Sequence, residues 1–234
     1  MHELKPTVEL INCSGDERLI YNAARRCYSS AENWTKLWER EVPEERRKKL
    51  IRDCIKSGHY SILEHVAFTW HVTCSRACSH QLVRKRIATY SQQSQRYVEM
   101  ADVPFIMPDF LYLGDNRDKA ELIVYRIMRN VQNAYVELEA LGAKKEDARC
   151  VLTQASATQV IFTMNASSLL NFFEHRCCNR AQKEIREIAN TMLAYCKLTL
   201  PTVFENAGPK CIREKRCSET NSCGLKPWKT EVKS

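Results

Sequence analysis

The sequence predicts an α+β fold, a single domain of mixed helices packed on an antiparallel-rich sheet, and three observations lead there. Residues 66–74, VAFTWHVTC, alternate with a period of two, the pattern of a strand with one buried face. Residues 119–141 instead repeat Val124, Met128, Val131, Tyr135 and Leu138 at spacings of four and three, the period of a helix. Strands and helices do not follow the regular βαβ order of a parallel sheet, and no internal repeat or low-complexity block interrupts them.

Residues 7–12 alternate enough to form a first strand, and Asp16 then offers an N-cap to an amphipathic helix carrying Leu19, Ala23 and Cys27. A charged helix, EERRKKLIRDCI, is expected over residues 44–55 behind Pro43, ending toward Gly58, where glycine permits a sharp entry into the next element. In the strand over residues 66–74, Val66, Phe68, Trp70, Val72 and Cys74 share one face, and Ala67, Thr69, His71 and Thr73 the other. A helix from Ser75 to about Thr89 should follow, with Arg76, His80 and Arg84 on one stripe and Gln81 just before Arg84. The helix over residues 119–141 is stopped by Gly142, and its stripe is either core or a subunit seam. A short helix over residues 145–152 and a strand over residues 158–164 come next. A long helix over about residues 167–197, with Ile185, Ile188 and Met192 facing inward, is ended by Pro201.

A chain of 234 residues can bury one sizeable core. The expected organisation is one catalytic domain over residues 1–200 and a polar, cysteine-containing tail over residues 201–234. With 44% hydrophobic and 27% charged residues the chain reads as soluble and globular, and no apolar run approaches a bilayer span. Its start, MHELKPTVEL, lacks the basic-then-apolar pattern of a secretory signal, so the expected location is the cytoplasm, with no membrane partner. Twelve cysteines scatter without the crowding of a disulfide scaffold, and most are expected to be buried small hydrophobes. Cys211, Cys217 and Cys223 differ, because they stand in a polar tail where a thiol has little core to fill. Even with Cys177 or Cys178 they lack the CxxC spacing of a zinc ribbon, so a loosely ordered tail with free thiols and no metal is expected. The net charge of +8 suits polyanionic partners, yet it does not separate nucleic-acid binding from nucleotide binding.

Three clusters carry the chemistry. Residues 84–98, RKRIATYSQQSQRYV, hold four cations, two serines and three glutamines without a carboxylate. No general base or nucleophile-elbow glycine accompanies Ser91 or Ser94, so covalent catalysis is not indicated. Arginine forks beside short neutral donors instead describe a clamp for phosphate and base edges, against the plainer alternatives of a solvated basic face or a nucleic-acid-binding module. Residues 58–65, GHYSILEH, lack the HExxH order of a zinc protease; His65 reads as structural, while His59 and Ser61 beside a glycine are candidate ligand contacts. In residues 165–178, NASSLLNFFEHRCC, Asn165 and Ser167 stand near an expected helix N-terminus, a ready ligand site that capping does not oppose. Asn171 follows Ser167 on the same face, and Arg176 lies on a neighbouring one.

Together these clusters resemble the flavin-dependent thymidylate synthases, whose signature is Arg-His-Arg, seven residues, then Ser. Arg84, Lys85 and Arg86, residues 87–93 and Ser94 fit that frame, with Lys85 in place of the histidine. GHYSILEH lies upstream and NASSLLNF followed by Arg176 downstream, in the family's order, so the resemblance covers about residues 7–200. It implies the fold of that family and reductive methylation of dUMP to dTMP, with FAD as cofactor and NADPH and methylenetetrahydrofolate as co-substrates. It also implies a homotetramer whose active sites form where subunits meet, and no nucleic-acid partner. Carried over residue by residue, Gln81, Arg84, Gln92, Gln93, Ser94, Gln95, Arg96 and Arg149 match dUMP contacts. Arg176 matches the catalytic arginine thought to favour ionised uracil N3. For FAD, His59, Ser61, Arg84, Lys85, Arg86, Gln92, Asn165, Ser167 and Asn171 match, with Glu64 secondary. Gln92 stands where many members carry glutamate and Ser167 where some carry arginine. A flavoprotein of this fold acting on another pyrimidine is the remaining alternative.

Overall fold

The structure, a computed structural model, describes residues 2–30 and 33–226; Met1 and the last eight residues of the expected tail lie outside the described residues. The first half of the chain runs β1 (Glu3–Leu4), β2 (Thr7–Ser14), α1 (Glu17–Arg26), α2 (Trp34–Glu39), α3 (Glu44–Lys56), a 3-10 turn (Tyr60–His65), β3 (Ala67–Ser75), α4 (Arg76–Leu82), β4 (Thr89–Gln92) and β5 (Phe105–Ile106). After a second 3-10 turn (Leu111–Asn116) come α5 (Arg117–Ala140), α6 (Lys145–Ala148) with a trailing 3-10 turn (Arg149–Val151), β6 (Ala157–Asn165), α7 (Ala166–Arg176), α8 (Lys183–Thr199), α9 (Pro201–Phe204) and α10 (Lys210–Glu214).

Four strands form an antiparallel sheet in the order β2-β3-β6-β4. Its buried face is the one the alternation picks out: Val66, Phe68, Trp70, Val72 and Cys74 are fully buried, and β6 adds Val160, Phe162 and Met164. Trp70 sits opposite Phe162 across the β3–β6 pair. Residues of α1, α7 and α8 join this core, with Ile185, Ile188 and Met192 of α8 pointing in as expected. Removing so much aromatic and aliphatic surface from water is the main stabilising term. A smaller second core gathers Met100, Val103, Phe105 and Ala148 against Met128 and Tyr135 of α5, so that part of the α5 stripe is core.

Four sequence expectations need correction. In α1 the buried residues include Ile20, Tyr21 and Ala24; Leu19 and Ala23 pack at the edge, and Cys27 is exposed. The Asp16 cap holds as expected, its side chain accepting from Leu19 N at 2.8 Å, but the core approaches the helix one residue further round. The helix expected to reach Thr89 ends at Leu82. The Tyr90 hydroxyl donates to Leu82 O at 3.0 Å and Lys85 O at 2.7 Å, taking carbonyls a longer helix would have used, while residues 89–92 pair with β6. The basic segment therefore begins in a turn beyond α4 and continues as an edge strand. The helix expected over residues 167–197 is two helices broken over residues 177–182. No glycine or proline marks that break. It lets Glu184, in the first turn of α8, accept from Ser75 N at 2.7 Å and Ser75 Oγ at 2.6 Å. Finally, only five of the twelve cysteines are buried: Cys74, Cys78, Cys177, Cys196 and, in the tail, Cys217.

The polypeptide past α8 also enters the core. Pro201 opens α9 after the break at Leu200, Phe204 is fully buried, and Glu17 accepts from Thr202 N at 2.7 Å and Thr202 Oγ1 at 2.9 Å.

Candidate active site

The short helix α4 and the turn after it organise the polar residues. Ser75 caps α4 by accepting from Cys78 N at 3.1 Å, which fixes where α4 starts and so which way Gln81 faces. From α7, Arg176 Nη2 donates to Gln81 O at 2.9 Å. The Gln81 amide also meets Gln182, so that α4, α7 and the residue before α8 converge on one point. Arg176 is half-buried, and the break over residues 177–182, absent from the single helix expected over residues 167–197, is what brings Gln182 here.

One turn along, Lys85 Nζ donates to Asn171 Oδ1 at 2.6 Å. Burial pulls the Lys85 pKa below its ordinary value, opposed by Glu174. The backbone around it is pinned by Tyr90 and by Ser168, whose Oγ donates to Ile87 O at 2.6 Å. Asn165 caps α7, accepting from Ser168 N at 2.7 Å, and Ser167 follows half-buried. Arg84 and Arg86 are exposed, and neither side chain makes a hydrogen bond or ion pair among the described residues. The 3-10 turn bearing Ser61 and Glu64, preceded by His59, packs against α7, and all three of those residues are exposed.

The far end of the basic segment is organised separately. Gln92 Nε2 donates to Ser79 Oγ at 2.9 Å and Thr158 Oγ1 at 3.2 Å, and Gln93 N donates to Gln159 O at 2.9 Å. Ser94 Oγ accepts from Arg96 N at 3.2 Å in a tight serine turn. Arg96 pairs with Glu146 at 2.6 Å and lies over the Tyr97 ring, while Arg149 Nε donates to Glu146 O at 3.0 Å. Arg76 belongs to this group too: burial first, and the charge of Arg149 second, lower its pKa. The helical stripe of Arg76, His80 and Arg84 assigns Arg76 no role; its position directly after the strand-ending Ser75 is the available signal. Gln95 Nε2 is buried with no partner among the described residues, a donor available to a bound group.

The expected residues thus fall into two assemblies. Gln81, Lys85, Asn171 and Arg176 form one, with Arg84, Arg86, Asn165 and Ser167 around it; Arg96 and Arg149 form the other, with Arg76 and Glu146. Among the described residues no hydrogen bond or ion pair joins them. Both are cationic, and two forked arginines beside neutral donors and an orphaned amide fit anionic, hydrogen-bonding ligands such as nucleotides. The thiols beneath are poor nucleophiles: burial pushes Cys177 up to about 12, and Cys78 is raised by its hydrogen bond with Cys74 and by burial.

The profile of the family described as thymidylate synthase complementing protein matches residues 9–202. Three similar proteins are flavin-dependent thymidylate synthases. That of Nitratidesulfovibrio vulgaris is 40% identical, covering 99% of this chain and 100% of its own. Those of Clostridium tetani and Geobacter sulfurreducens are 39% and 42% identical, covering 89% and 84% of this chain and 88% and 84% of their own. A crystal structure of a UMP/dUMP methylase PolB from Streptomyces cacaoi bound with 5-Br dUMP shares the fold. Its TM-score is 0.79 at 23% identity over 88% of this chain and 96% of that one.

Proposed function

The chain belongs to the thymidylate synthase complementing protein family, the flavin-dependent thymidylate synthases, and from that premise we propose that it methylates C5 of dUMP to give dTMP with Arg176 as the activating residue. The observation that carries the reading is the Arg176–Gln81 contact beside the Lys85–Asn171 pair, at the end of a segment that fits the family signature. FAD reduced by NADPH supplies the reducing equivalents, and methylenetetrahydrofolate the carbon.

The residues divide the remaining work. Arg176 spends one guanidinium nitrogen on Gln81 O, which fixes its orientation and leaves further donors for the pyrimidine. Placed at uracil N3, a permanently charged guanidinium stabilises the ring with that proton removed, and the displaced electron density strengthens C5 as the attacking carbon. No thiolate on C6 is then required, in keeping with the raised thiols nearby. Gln81 and the donors of residues 92–95 orient the base, while Arg96 and Arg149 take its phosphate, for which Arg96 must leave Glu146. Arg84, Lys85, Arg86, Asn165, Ser167 and Asn171, with His59 and Ser61, would hold the flavin, which would supply the reducing equivalents to the pyrimidine.

A homotetramer completes the sites where subunits meet. One feature supports it: α5 exposes Leu122, Ile123, Ile127 and Val136. A cytoplasmic location is part of the same reading; among the described residues no helix is long and apolar enough to cross a membrane.

Purified protein should carry the yellow absorption of FAD and release tritium from C5-labelled dUMP only with methylenetetrahydrofolate and NADPH present. UMP tested in parallel separates dUMP from other pyrimidines. Flavin-free protein that ignores dUMP, or binds DNA and RNA with a steep salt dependence, would overturn the reading.

A further inference from the structure

Four cysteines that the proposed chemistry does not use lie on two distant stretches of chain that pack against each other at one corner of the molecule. Cys178 stands in the turn between α7 and α8, Cys211 lies in α10, and Cys217 and Cys223 follow at intervals of six residues. Cys178, Cys211 and Cys217 line a single cavity of about 480 Å³ whose wall also includes Arg176. Cys223 Sγ accepts from the side-chain amide of Asn179, the neighbour of Cys178, at 3.7 Å. An ion pair of 2.7 Å between Arg180 and Glu219 ties the same two stretches together. Cys217 is 6% exposed in a stretch, CIREKRCSETNSC, with almost nothing apolar to bury it for.

A soft cation deprotonates the thiols it binds, so neutral cysteines become ligands as it enters. Among the described residues no three His, Cys, Asp or Glu side chains are yet gathered to hold a metal ion, so the site is empty and ligation requires residues 211–223 to close on Cys178.

We propose that Cys178, Cys211, Cys217 and Cys223 bind one Zn²⁺ ion in a tetrathiolate site that staples the chain after α10 to the turn between α7 and α8. Four sulfur–zinc bonds form, and the four thiol protons leave to solvent. Zinc bound by four protein ligands keeps no open position, so the site is structural. Its effect is to fix the end of α7, where Arg176 stands. The inference does not depend on the proposed reaction.

The test is the metal content of the full-length protein, purified without chelator from cells grown with zinc. About one zinc per chain is expected, falling at least tenfold in C211S/C217S and unchanged in C54S, whose thiol lies outside the cluster. Replacement by Co²⁺ should give the intense thiolate-to-metal bands of a tetrahedral site. If C211S/C217S fails to fold, thiol-specific displacement of zinc from the wild-type protein supplies the measurement, with four cysteines becoming reactive per zinc released. Protein free of zinc, zinc retained by C211S/C217S, or iron with acid-labile sulfide in its place would each overturn the proposal.

Discussion

The two ends of the basic segment are held by opposite means. Around residues 84–90 the backbone is pinned by neutral groups, Tyr90 on Leu82 O and Lys85 O and Ser168 on Ile87 O, and Lys85 leans on the neutral Asn171. Around residues 94–98 a carboxylate does the holding, with Glu146 paired to Arg96. Neutral pins leave the positive charge of Arg84 and Arg86 uncompensated and available to a ligand from the outset. An acid partner instead shields Arg96 until an incoming anion replaces it, so that end behaves as an exchange site.

Breaking the first end should have the largest consequence. Arg176→Ala removes both the proposed N3 partner and the donor to Gln81 O, and turnover should fall by about 1000-fold while bound flavin is largely retained. Tritium release and the flavin absorbance of the same preparation check both halves, and normal turnover would end the proposed N3 role. Next comes Tyr90→Phe, which strips the hydroxyl from two carbonyls in a half-buried setting. A loss of about 1–2 kcal/mol in denaturant unfolding is expected, with weaker flavin retention because Lys85 loses its anchor. Unchanged stability would mean that water replaces the hydroxyl. The smallest effect belongs to the second end. Glu146→Gln should tighten dUMP binding about two- to fivefold, as fits a partly exposed pair, and calorimetric titration would show it. Weaker binding would place Glu146 in the ligand contacts and dissolve the contrast between the two ends.

Why one end was more legible than the other follows from the range of the forces involved. The α7 cap at Asn165 and the face of β3 are written in spacings of a few residues, and each appears in the structure where the spacing puts it. Glu146 is remote from Arg96 in sequence: it meets Arg96 from α6, and no pattern near either residue announces the other. The same holds for Gln182, which reaches Gln81 only because the chain breaks between α7 and α8 without a glycine or proline to mark it.

By itself, the sequence determined the α+β class, the buried face of the central strand and the family that its motifs resemble. These rest on periodicity and on motif spacing, which a chain carries before it folds. Only the tertiary structure decided that α4 stops at Leu82 so that residues 89–92 can become an edge strand. It decided also that Thr202 and Phe204 serve the core, and that Cys178 shares a cavity with Cys211 and Cys217. Each of those outcomes depends on partners dozens of residues away, whose hydrogen bonds and burial outweigh the weak local preferences that a sequence window records.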